Sequence, residues 1–356
     1  FLSPETSFED ATQVHKIHYE PYGVAGVITP WNFPLSNFVM GALQLLIAGN
    51  TVVYKISEEV PLFGKAIDEA WQKAGLPQGV FNQVYGAGDI GELLARSDIN
   101  VLHFTGSSST GKKLYMIAAE KFIPAILELG GSDAGIVFED ADIDKIIEPI
   151  FWAKFINAGQ ICCGLKRLFV QEKRFDEVVG KLSKFISEKK FGDPNDENTT
   201  IGPMVSEKQR KLLVGQVEDA KDKGAKVVLG GTTPNTLNGA YFEPTLLTGI
   251  NPGMRAYYEE LFGPVLPITP FHTEEEAIKL ANDTPYGLSA YIYTNDSKRF
   301  ERVAQKLEAG SISHNGLDYS HPANPFGGYK GSGIGKTCGK IGLQQACRIK
   351  VIALAK

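Results

Sequence analysis

The sequence predicts an α/β protein with two parallel-sheet domains and a small element formed by strands from both termini. Three observations support this prediction. Short apolar runs alternate with amphipathic segments from Tyr19 to Val137, a second set with the same alternation follows, and both ends of the chain contain strand patterns without a helix. Alternation of buried strands with helices predicts parallel sheets covered by helices. With 356 residues the chain is also too long for one ordinary core, so at least two domains are expected.

The first set contains short apolar runs bounded by glycine, proline or polar residues, which is typical of buried strands. The helix predicted from Leu35 to Ala48 is closed by Gly49-Asn50, and the helix from Pro61 to Ala74 ends at Gly75. Glycine favours the left-handed conformation that commonly ends a helix. The predicted strands are "GVAGVITP", "TVVYKI", "VFNQVYG", "NVLHFTG" and "PAILELGG", and helical stretches follow the third and fourth of them.

The second set begins with a helix predicted over 143–157, which contains the awkward Pro149. Further helices are predicted over 175–190, 206–223, 273–283 and 298–308, with the strands "LKRLFVQ", "KVVLGG", "YFEPTLL", "LPITPF", "SAYIYT" and "GSISHN". The strands predicted at the two ends, "EDATQVHKIHYEPYG" and "CRIKVIALAK", can pair with each other or with another subunit.

Composition and charge exclude several classes of function. The net charge is −5 and no Lys/Arg tract is present, which argues against nucleic acid as a partner. The longest apolar candidate, "ALQLLIAG", is interrupted by Gln44 and ended by Gly49, so no membrane span is expected. Four cysteines are too few for a disulfide scaffold, so a reducing, cytoplasmic location is expected. The chain opens on Phe1 without an initiator Met, which is typical of a fragment or a processed product.

Two glycine-rich segments are candidate anion sites. "YGAGDIG" (85–91) matches G-x-G-x-x-G between a predicted strand and a helix, and is either a phosphate cradle or a glycine-rich turn. Asp98 and Glu120 fit poorly the acidic residue that should follow such a cradle by about 20 positions. "HFTGSSSTGK" (103–112) leads from a strand into a helix N-terminus, where backbone N–H groups bind anions. Lys113 replaces the Ser/Thr of a P-loop, which disfavours nucleotide hydrolysis and leaves a metal-free pyrophosphate possible.

The adjacent cysteines of "FINAGQICCGLKR" (155–167) allow several interpretations. Their spacing disfavours zinc, and a vicinal disulfide would be strained and rare in a reducing compartment. Two buried thiols and a single nucleophile both remain open. The pair follows Gly159-Gln160 at a helix-to-loop break, where a backbone N–H can face a substrate. No histidine lies nearby, but Glu128 at the end of an apolar strand is either a general base tuned by burial or a paired carboxylate.

Seven segments in one order resemble the aldehyde dehydrogenase superfamily: "PWNFPL" (30–35), "KISE" (55–58), "FTGSSSTG" (104–111), "LELGG" (127–131), "NAGQICCGLKR" (157–167), "EELFGPV" (259–265) and "PFGGYKGSG" (325–333). "ELGGSD" and "CCGLKR" resemble its succinate-semialdehyde-dehydrogenase-like branch. The resemblance covers nearly the whole chain, although about 100 residues at the N-terminal end of the family are expected to be absent.

The resemblance implies a set of catalytic residues. Cys162 falls on the nucleophile, and Cys163 then falls on a variable packing position. Glu128 falls on the general base, and Asn32 falls on the amide that holds the oxyanion together with the Cys162 backbone N–H. The implied reaction is oxidation of an aldehyde to the acid through a thiohemiacetal and a thioester, and semialdehydes belong to the implied substrate class.

The resemblance also implies the cofactor site. Ser107 would meet the pyrophosphate, and the earlier glycines would lie towards the adenine. NAD is favoured over NADP, because the carboxylate of Glu58 would repel a 2′-phosphate. No metal is expected. The implied residues are Lys55 and Glu58 at the adenosine ribose, Glu260 at the nicotinamide ribose, Phe262 beside the nicotinamide, and Thr29, Pro30, Trp31, Ser57, Gly88, Phe104, Gly106 and Leu129 around them.

The implied domain plan is a Rossmann-like cofactor domain over 20–130, a catalytic domain over 131–325, a return segment over 326–342, and oligomerisation strands over 1–19 with 343–356. A homodimer or homotetramer acting on a small-molecule aldehyde is expected.

The sequence departs from the family at several positions. Thr337 replaces a glutamate and Pro149 interrupts a helix, and neither is expected to touch the chemistry. Met40 and Ile156 stand where arginines for a substrate carboxylate are expected. Arg167 is expected to be structural. The loop 313–325 is expected to line the aldehyde entrance, with the polar candidates His314, Asn315 and His321, each of which is otherwise a solvated loop residue.

Three alternative functions remain. Coenzyme A could replace water in releasing the acyl group, but the presence of Glu128 argues against this. A phosphorylating semialdehyde reductase of the same fold should lack that base. A structural or binding protein that keeps only the fold is disfavoured by the presence of Cys162, Glu128 and Asn32 together.

Overall fold

The computed structural model describes residues 1–316 and 321–356, and the chain divides into two units. The first unit comprises Phe1–Leu129, Ser320–Gly327 and Gly333–Lys356, and the second comprises Gly130–Tyr319 and Gly328–Ser332. Both units combine a largely parallel sheet with helices, so the α/β fold class is confirmed. The division after Leu129 lies next to the expected boundary at residue 130, and the terminal strands belong to the first unit.

The described part of the chain contains strands β1 Glu5–Glu9, β2 Gln13–Pro21, β3 Val24–Ile28, β4 Thr51–Lys55, β5 Phe81–Val84, β6 Val101–Thr105, β7 Ala125–Glu128, β8 Asp133–Val137, β9 Leu165–Gln171, β10 Lys226–Leu229, β11 Thr245–Thr248, β12 Val265–Phe271, β13 Ser289–Tyr293, β14 Ser311–His314, β15 Gly333–Ile334 and β16 Cys347–Ala355. Its α-helices are α1 Pro34–Phe38, α2 Gln44–Ile47, α3 Pro61–Ala74, α4 Gly88–Arg96, α5 Ser108–Glu120, α6 Ile143–Phe155, α7 Phe175–Ser187, α8 Glu207–Asp222, α9 Arg255–Tyr258, α10 Glu274–Asn282, α11 Ser297–Ala304 and α12 Gly339–Gln345.

The sheet of the first unit has the order β15-β7-β6-β3-β4-β5, with all pairs parallel except β15 with β7. Strand β3 has β4 on one side and β6 on the other, so the strand order reverses there. In open parallel sheets such a reversal opens a crevice at the carboxyl ends of the strands, where ligands bind. The sheet therefore creates a ligand site beyond Ile28, Lys55 and Thr105.

One predicted helix of this unit has a different form. The segment predicted from Leu35 to Ala48 folds as α1 and α2 joined by a π-helical turn, Val39–Leu43. Gly41 of this turn packs against the imidazole of His103, because a Cβ at Gly41 would lie 2.9 Å from the ring carbon Cε1. The close approach of a helical turn to a buried ring therefore requires glycine here.

The sheet of the second unit has the order β10-β11-β12-β9-β8-β13-β14. Only β10 is antiparallel to its neighbour. The interior strand β8 was not predicted as a separate strand, although all five of its residues are buried. Helix α6 continues through Pro149 to Phe155, two residues short of its predicted end.

The terminal segments pair with each other in a three-stranded antiparallel sheet of order β1-β2-β16. Strand β16 is an edge of this sheet, and Ile349, Val351, Ile352 and Leu354 on it are exposed. Among the described residues, no helix combines the length and apolar character that crossing a bilayer requires.

Candidate active site

A cavity of about 620 Å³ opens in the first unit at the strand reversal, between α4 and α5. Its volume lies within the range of sites for small molecules and cofactors. Nine of the thirteen residues expected at the cofactor line it: Thr29, Pro30, Trp31, Lys55, Ser57, Glu58, Gly88, Phe104 and Gly106. The structure thus brings together residues that are far apart in the sequence, at the place where an open parallel sheet binds ligands.

Ser107 is the N-cap of α5 beside this cavity. Its Oγ accepts a hydrogen bond from the backbone N–H of Thr110 at 3.3 Å. The first turn of a 13-residue helix carries partial positive charge and unsatisfied N–H groups, so it suits a pyrophosphate. Gly106 leads directly into this turn, and a Cβ there would lie 2.5 Å from the Phe104 ring. The residues present therefore fit a dinucleotide phosphate.

The residues expected at the adenosine ribose form an ordered cluster. Lys55 is buried, and its Nζ donates to Oε2 of the exposed Glu58 at 3.2 Å. Ser57 Oγ accepts from the N–H of Glu59 at 3.3 Å. Thr29 Oγ1 and the Tyr54 hydroxyl share a 2.6 Å hydrogen bond, and burial raises the pKa of Tyr54 to about 12. These contacts position one cation and one carboxylate at the cavity.

The other expected cofactor residues lie outside this cavity lining. Leu129 packs on α5, since a Cβ at Gly111 would lie 2.4 Å from its Cδ2 atom. Glu260 and Phe262 belong to the second unit. Glu260 Oε1 accepts from the Gly131 N–H at 3.1 Å, and the ring centroid of Phe262 lies 5.8 Å from Lys166 Nζ.

Glu128 ends β7 and is 3% exposed. Its backbone carbonyl accepts from the Gly106 N–H at 3.0 Å, which fixes it beside the turn that precedes α5. Thr337 Oγ1 donates to Glu128 Oε1 at 3.4 Å, so the expectation that Thr337 does not touch the predicted catalytic groups is wrong. The Lys336 ammonium interacts favourably with the same carboxylate while burial lowers the pKa of Lys336. The candidate base is thus buried with one hydroxyl donor and one cation beside it.

Asn32 lies just before α1 in the first unit and is partly buried. Its Oδ1 accepts a hydrogen bond from Asn37 Nδ2 at 3.3 Å. Because this bond uses the amide oxygen, the NH₂ group is the end of Asn32 that can donate to an oxyanion.

Cys162 lies in the loop between α6 and β9, and the backbone of this loop is unusual. Asn157, Ala158 and Gly159 have φ values of +51°, +53° and +76°. A Cβ at Gly159 would lie 2.2 Å from the carbonyl oxygen of Gly263, so only glycine allows this approach. Gln160 holds the turn, since its Nε2 donates to Asn157 O at 2.9 Å and its Oε1 accepts from the Val205 N–H at 2.8 Å. Strained backbone of this kind is characteristic of functional loops.

The two adjacent cysteines are both free and partly buried. A hydrogen bond with Cys163 and burial raise the pKa of the Cys162 thiol well above its usual value, whereas Lys166 acts to lower it. The carbonyl of Cys163 accepts a hydrogen bond from the Tyr291 hydroxyl at 2.5 Å, and this bond fixes the backbone of the second cysteine. Gly131 approaches so closely that a Cβ there would lie 2.5 Å from Cys162 O.

Sequence reasoning missed Lys166. It is 1% exposed, and its Nζ donates to the carbonyls of Ile161, Cys162 and Gly164 at 2.5, 3.0 and 3.2 Å. Glu260 Oε1 lies 3.4 Å from the same Nζ. The signal in the sequence was a lysine at the start of the apolar strand "LKRLFV", since a lysine is rarely buried without partners.

Arg167 has the structural contacts that were expected of it. Its guanidinium makes four hydrogen bonds of 2.8 to 3.0 Å to the carbonyls of Ser132, Leu280 and Ala281. Burial lowers its pKa to about 10. These bonds join the starts of β8 and β9 to the end of α10.

The polar candidates of the loop 313–325 mostly make contacts with residues of their own units. His314 stacks on Phe300 with ring centroids 4.4 Å apart, and its Nε2 lies 2.9 Å from Thr294 O. Asn315 Nδ2 donates to the same carbonyl at 2.8 Å. His321 accepts from the Ala323 N–H. Residues 317–320 of this expected entrance loop lie outside the described residues. No cluster of potential metal ligands is found in the described ranges 1–316 and 321–356.

Comparison with known proteins identifies the family. The sequence pattern of the Aldehyde dehydrogenase family matches residues 2–352. The chain therefore belongs to the aldehyde dehydrogenase family, whose general activity is aldehyde oxidation with a nicotinamide cofactor, and the predicted resemblance is confirmed.

Curated relatives support the assignment over most of the chain. The 2-hydroxymuconic semialdehyde dehydrogenase of Pseudomonas sp. (strain CF600) is 41% identical over 341 residues, which are 94% of this chain and 70% of the relative. The succinate-semialdehyde dehydrogenase [NADP(+)] of Escherichia coli (strain K12) is 40% identical over 337 residues, with the same coverages. The chain spans about 70% of the length of these relatives, in keeping with the expected difference in length from the family.

Solved structures show the same fold. The aldehyde dehydrogenase of Mycobacterium tuberculosis, solved in complex with NAD+, superposes with a TM-score of 0.95 at 37% identity, over 98% of this chain and 72% of that one. The NAD-dependent aldehyde dehydrogenase of Sinorhizobium meliloti has a TM-score of 0.96 at 36% identity, with coverages of 99% and 71%.

Proposed function

We propose that this protein oxidises an aldehyde to the carboxylic acid with NAD, through a covalent adduct on Cys162 that is released by water. The observation that carries the proposal is the cavity of the first unit, in which nine expected cofactor residues meet at the N-terminus of α5. The family membership supplies the class of reaction.

In the proposed first step, the Cys162 thiolate adds to the aldehyde carbon and forms a tetrahedral thiohemiacetal. The negative charge passes to the aldehyde oxygen, where the Asn32 amide and the Cys162 backbone N–H would stabilise it by hydrogen bonds. The hydrogen bond that Asn37 donates to the Asn32 amide oxygen supports an orientation in which the Asn32 NH₂ group is the donor to the aldehyde oxygen.

Bound NAD would supply the hydride acceptor for this adduct, and loss of the hydride would leave a thioester on Cys162. Ser107 and the first turn of α5 would hold the pyrophosphate, Lys55 and Glu58 the adenosine ribose, and Glu260 with Phe262 the nicotinamide end. Glu58 favours NAD over NADP, because a 2′-phosphate would meet a carboxylate at short range.

Glu128 would then take a proton from water as the water attacks the thioester, and the acid would leave with Cys162 restored. A buried carboxylate beside Thr337 and Lys336 supports this role. The same carboxylate disfavours release by coenzyme A, since that route needs no water-activating base in this position.

The substrate class is proposed to include semialdehydes, as the names of relatives at 40–41% identity indicate for those proteins. The far end of the substrate is not expected to be held by arginine at the two positions considered above. Met40 lies in the π-helical turn, and Ile156 is 45% exposed at the end of α6.

The assembly is proposed to be a homodimer or homotetramer that covers the apolar edge strand β16, because an exposed edge of this kind favours pairing with another chain. Four free cysteines support a reducing, cytoplasmic location.

An aldehyde panel with NAD or NADP, with and without coenzyme A, tests the proposal by absorbance of the reduced cofactor. Turnover with NAD and no requirement for coenzyme A is expected. Cys162→Ser should abolish turnover but keep NAD binding, and the matched variant Cys163→Ser should retain most activity. Exchanged results for the two variants would refute the assignment of the nucleophile, and no turnover by folded protein with any aldehyde would refute the enzymatic function.

A further inference from the structure

We infer that Lys166 is a positioning residue for the proposed reaction: its ammonium holds the loop carbonyls so that the Cys162 N–H points towards the oxyanion, and it places a positive charge 3.0 Å from the carbonyl oxygen of Cys162. This inference rests on the proposed function of Cys162. It assigns a role to a buried cation that is outside the catalytic and cofactor residues named above.

The geometry of the loop supports the positioning role. A lysine ammonium has three protons to donate, and three of the acceptors around Lys166 Nζ are backbone carbonyls of the loop that contains Cys162. The carboxylate of Glu260 is a fourth acceptor, at 3.4 Å. The ammonium therefore lies inside the turn, and the carbonyls of Ile161, Cys162 and Gly164 converge on it. A lysine that is 1% exposed with this set of partners fixes the backbone rather than meeting solvent.

The orientation of the Cys162 N–H follows from peptide geometry. The described residues contain no cis peptide bond, so the Ile161 carbonyl and the Cys162 N–H point in opposite directions from one planar unit. The Ile161 oxygen accepts from Lys166 Nζ at 2.5 Å and more weakly from the Gly164 N–H at 3.4 Å. Lys166 thus turns the Cys162 N–H away from the interior of the turn. No described residue accepts a hydrogen bond from this N–H, so it is available to a ligand oxygen.

The charges around the loop support the second part of the role. The groups that most affect the Cys162 thiol are Cys163, Lys166 and Glu260, and Lys166 is the cation of this set. Asp133 is a further buried carboxyl that interacts with Cys163 and Lys166, and burial raises its pKa. Glu260 lies 3.4 Å from Lys166 Nζ. Removing the ammonium would therefore take away a cation that favours the charged form of the thiol and would disfavour the thiolate.

A second buried lysine provides a matched control. Lys154 is fully buried in the same unit, but its Nζ donates to Leu261 O at 3.2 Å and to none of the carbonyls of the turn. Burial lowers the pKa of Lys154 well below its usual value, and Lys154 is not among the groups that most affect the Cys162 thiol. Lys166→Met and Lys154→Met therefore remove similar volumes from the core and differ in their effect on Cys162.

The test measures the rate at which iodoacetamide alkylates Cys162 from pH 6 to pH 11 or higher, as far as the protein stays folded, by mass spectrometry of the labelled peptide in the full-length protein. In Lys166→Met we expect the pH midpoint to rise by about one unit or more, and the rate at pH 7 to fall about 10-fold. In Lys154→Met the midpoint should stay unchanged. This readout needs neither NAD nor an aldehyde, so it is independent of turnover.

A third variant separates orientation from charge. Lys166→Gln keeps a hydrogen-bond donor but no charge, so its midpoint should rise as in Lys166→Met while the pre-steady-state rate of NADH formation falls less. Equal midpoints in the wild type and a folded Lys166→Met or Lys166→Gln variant would overturn the charge effect. Equal NADH formation rates in these two variants would overturn the orienting effect. If Cys162→Ser retained turnover, the proposed function would fail instead, whatever the alkylation results.

Discussion

The hydroxyl of Thr337 donates a hydrogen bond of 3.4 Å to Oε1 of Glu128, although the two residues are 209 positions apart in the chain. Strand β15 brings them together, because Gly333 pairs with Glu128 in antiparallel register. Gly327 lies on another side of the carboxylate, where a Cβ would be 2.8 Å from Oε1. The candidate base is thus enclosed by a segment that returns to the first unit from the C-terminal part of the chain.

Thr337→Val should slow release of the acid more than formation of the thioester. The substitution keeps the shape of the side chain but removes the donor to Glu128, so the carboxylate loses one constraint on its orientation. We expect kcat to fall about 10-fold with a clear burst of NADH, which reports thioester accumulation. Rapid-mixing absorbance measures both phases. Thr337→Ser restores the hydroxyl and should restore kcat, and equal kcat in the valine variant would exclude the proposed positioning.

Glu58→Gln should shift cofactor preference towards NADP. The amide keeps hydrogen-bonding capacity for a ribose hydroxyl but removes the negative charge that repels a 2′-phosphate, and the Lys55 ammonium at 3.2 Å is then free of its ion pair. We expect the ratio of kcat/KM for NADP over NAD to rise about 10-fold or more. Glu59→Gln, which changes the next exposed carboxylate, is the control and should leave the ratio unchanged. Equal NADP-to-NAD ratios of kcat/KM in both variants would show that Glu58 does not discriminate between the two cofactors.

Local patterns were sufficient for most of the fold. The prediction that a helix extends from Pro61 to Ala74 matches α3, because Gly75 adopts φ of +70° and stops the helix where the sequence signals it. Strand β8 was missed since it follows β7 after four residues and carries a buried acid, Asp133, that breaks the apolar pattern. The predicted helix over 35–48 contains a π-helical turn that packs on His103, and a tertiary contact of this kind is not visible in a local sequence pattern.

Local sequence patterns predicted less of the candidate site than of the fold. The positions of Cys162 and Glu128 came from motifs that resemble the family, whereas spacing alone favoured two buried thiols. Lys166 was missed because its partners depend on a loop whose residues 157–159 all have positive φ, and no pattern of side chains predicts that conformation. Thr337 was misjudged because its contact joins segments that are distant in sequence.

Arg167→Met should destabilise the protein strongly. The loss of four hydrogen bonds leaves three carbonyls without this donor, in a region where the side chain itself is 6% exposed. Each buried unsatisfied carbonyl costs about 1–3 kcal/mol, so the free energy of unfolding is expected to fall by roughly 3 kcal/mol or more. Urea denaturation at constant m-value measures it.

Arg174→Met is the matched control, since Arg174 also donates to a backbone carbonyl, that of Glu139 at 2.8 Å, but is 26% exposed. Water can replace the hydrogen bonds of Arg174, so the free energy of unfolding is expected to change by at most about 1 kcal/mol. Similar losses in the two variants would mean that burial of the Arg167 contacts is not what stabilises the second unit.

His103 should make the stability of the protein fall on acidification. Its ring is 1% exposed, neither ring nitrogen has a hydrogen-bond partner among the described residues, and burial lowers its pKa from 6.5 to about 4. Between these values the unfolded chain binds a proton that the folded protein does not, so stability is complete above pH 6.5 and is lost as the pH falls towards 4. From pH 7 to pH 5 the expected loss is about 2 kcal/mol. His103→Leu removes this titration while keeping an apolar side chain against Gly41. The difference between the pH profiles of unfolding free energy for wild type and His103→Leu therefore separates the effect of His103 from that of the carboxylates. Urea midpoints that decline in parallel for wild type and His103→Leu would show that His103 is not the group responsible.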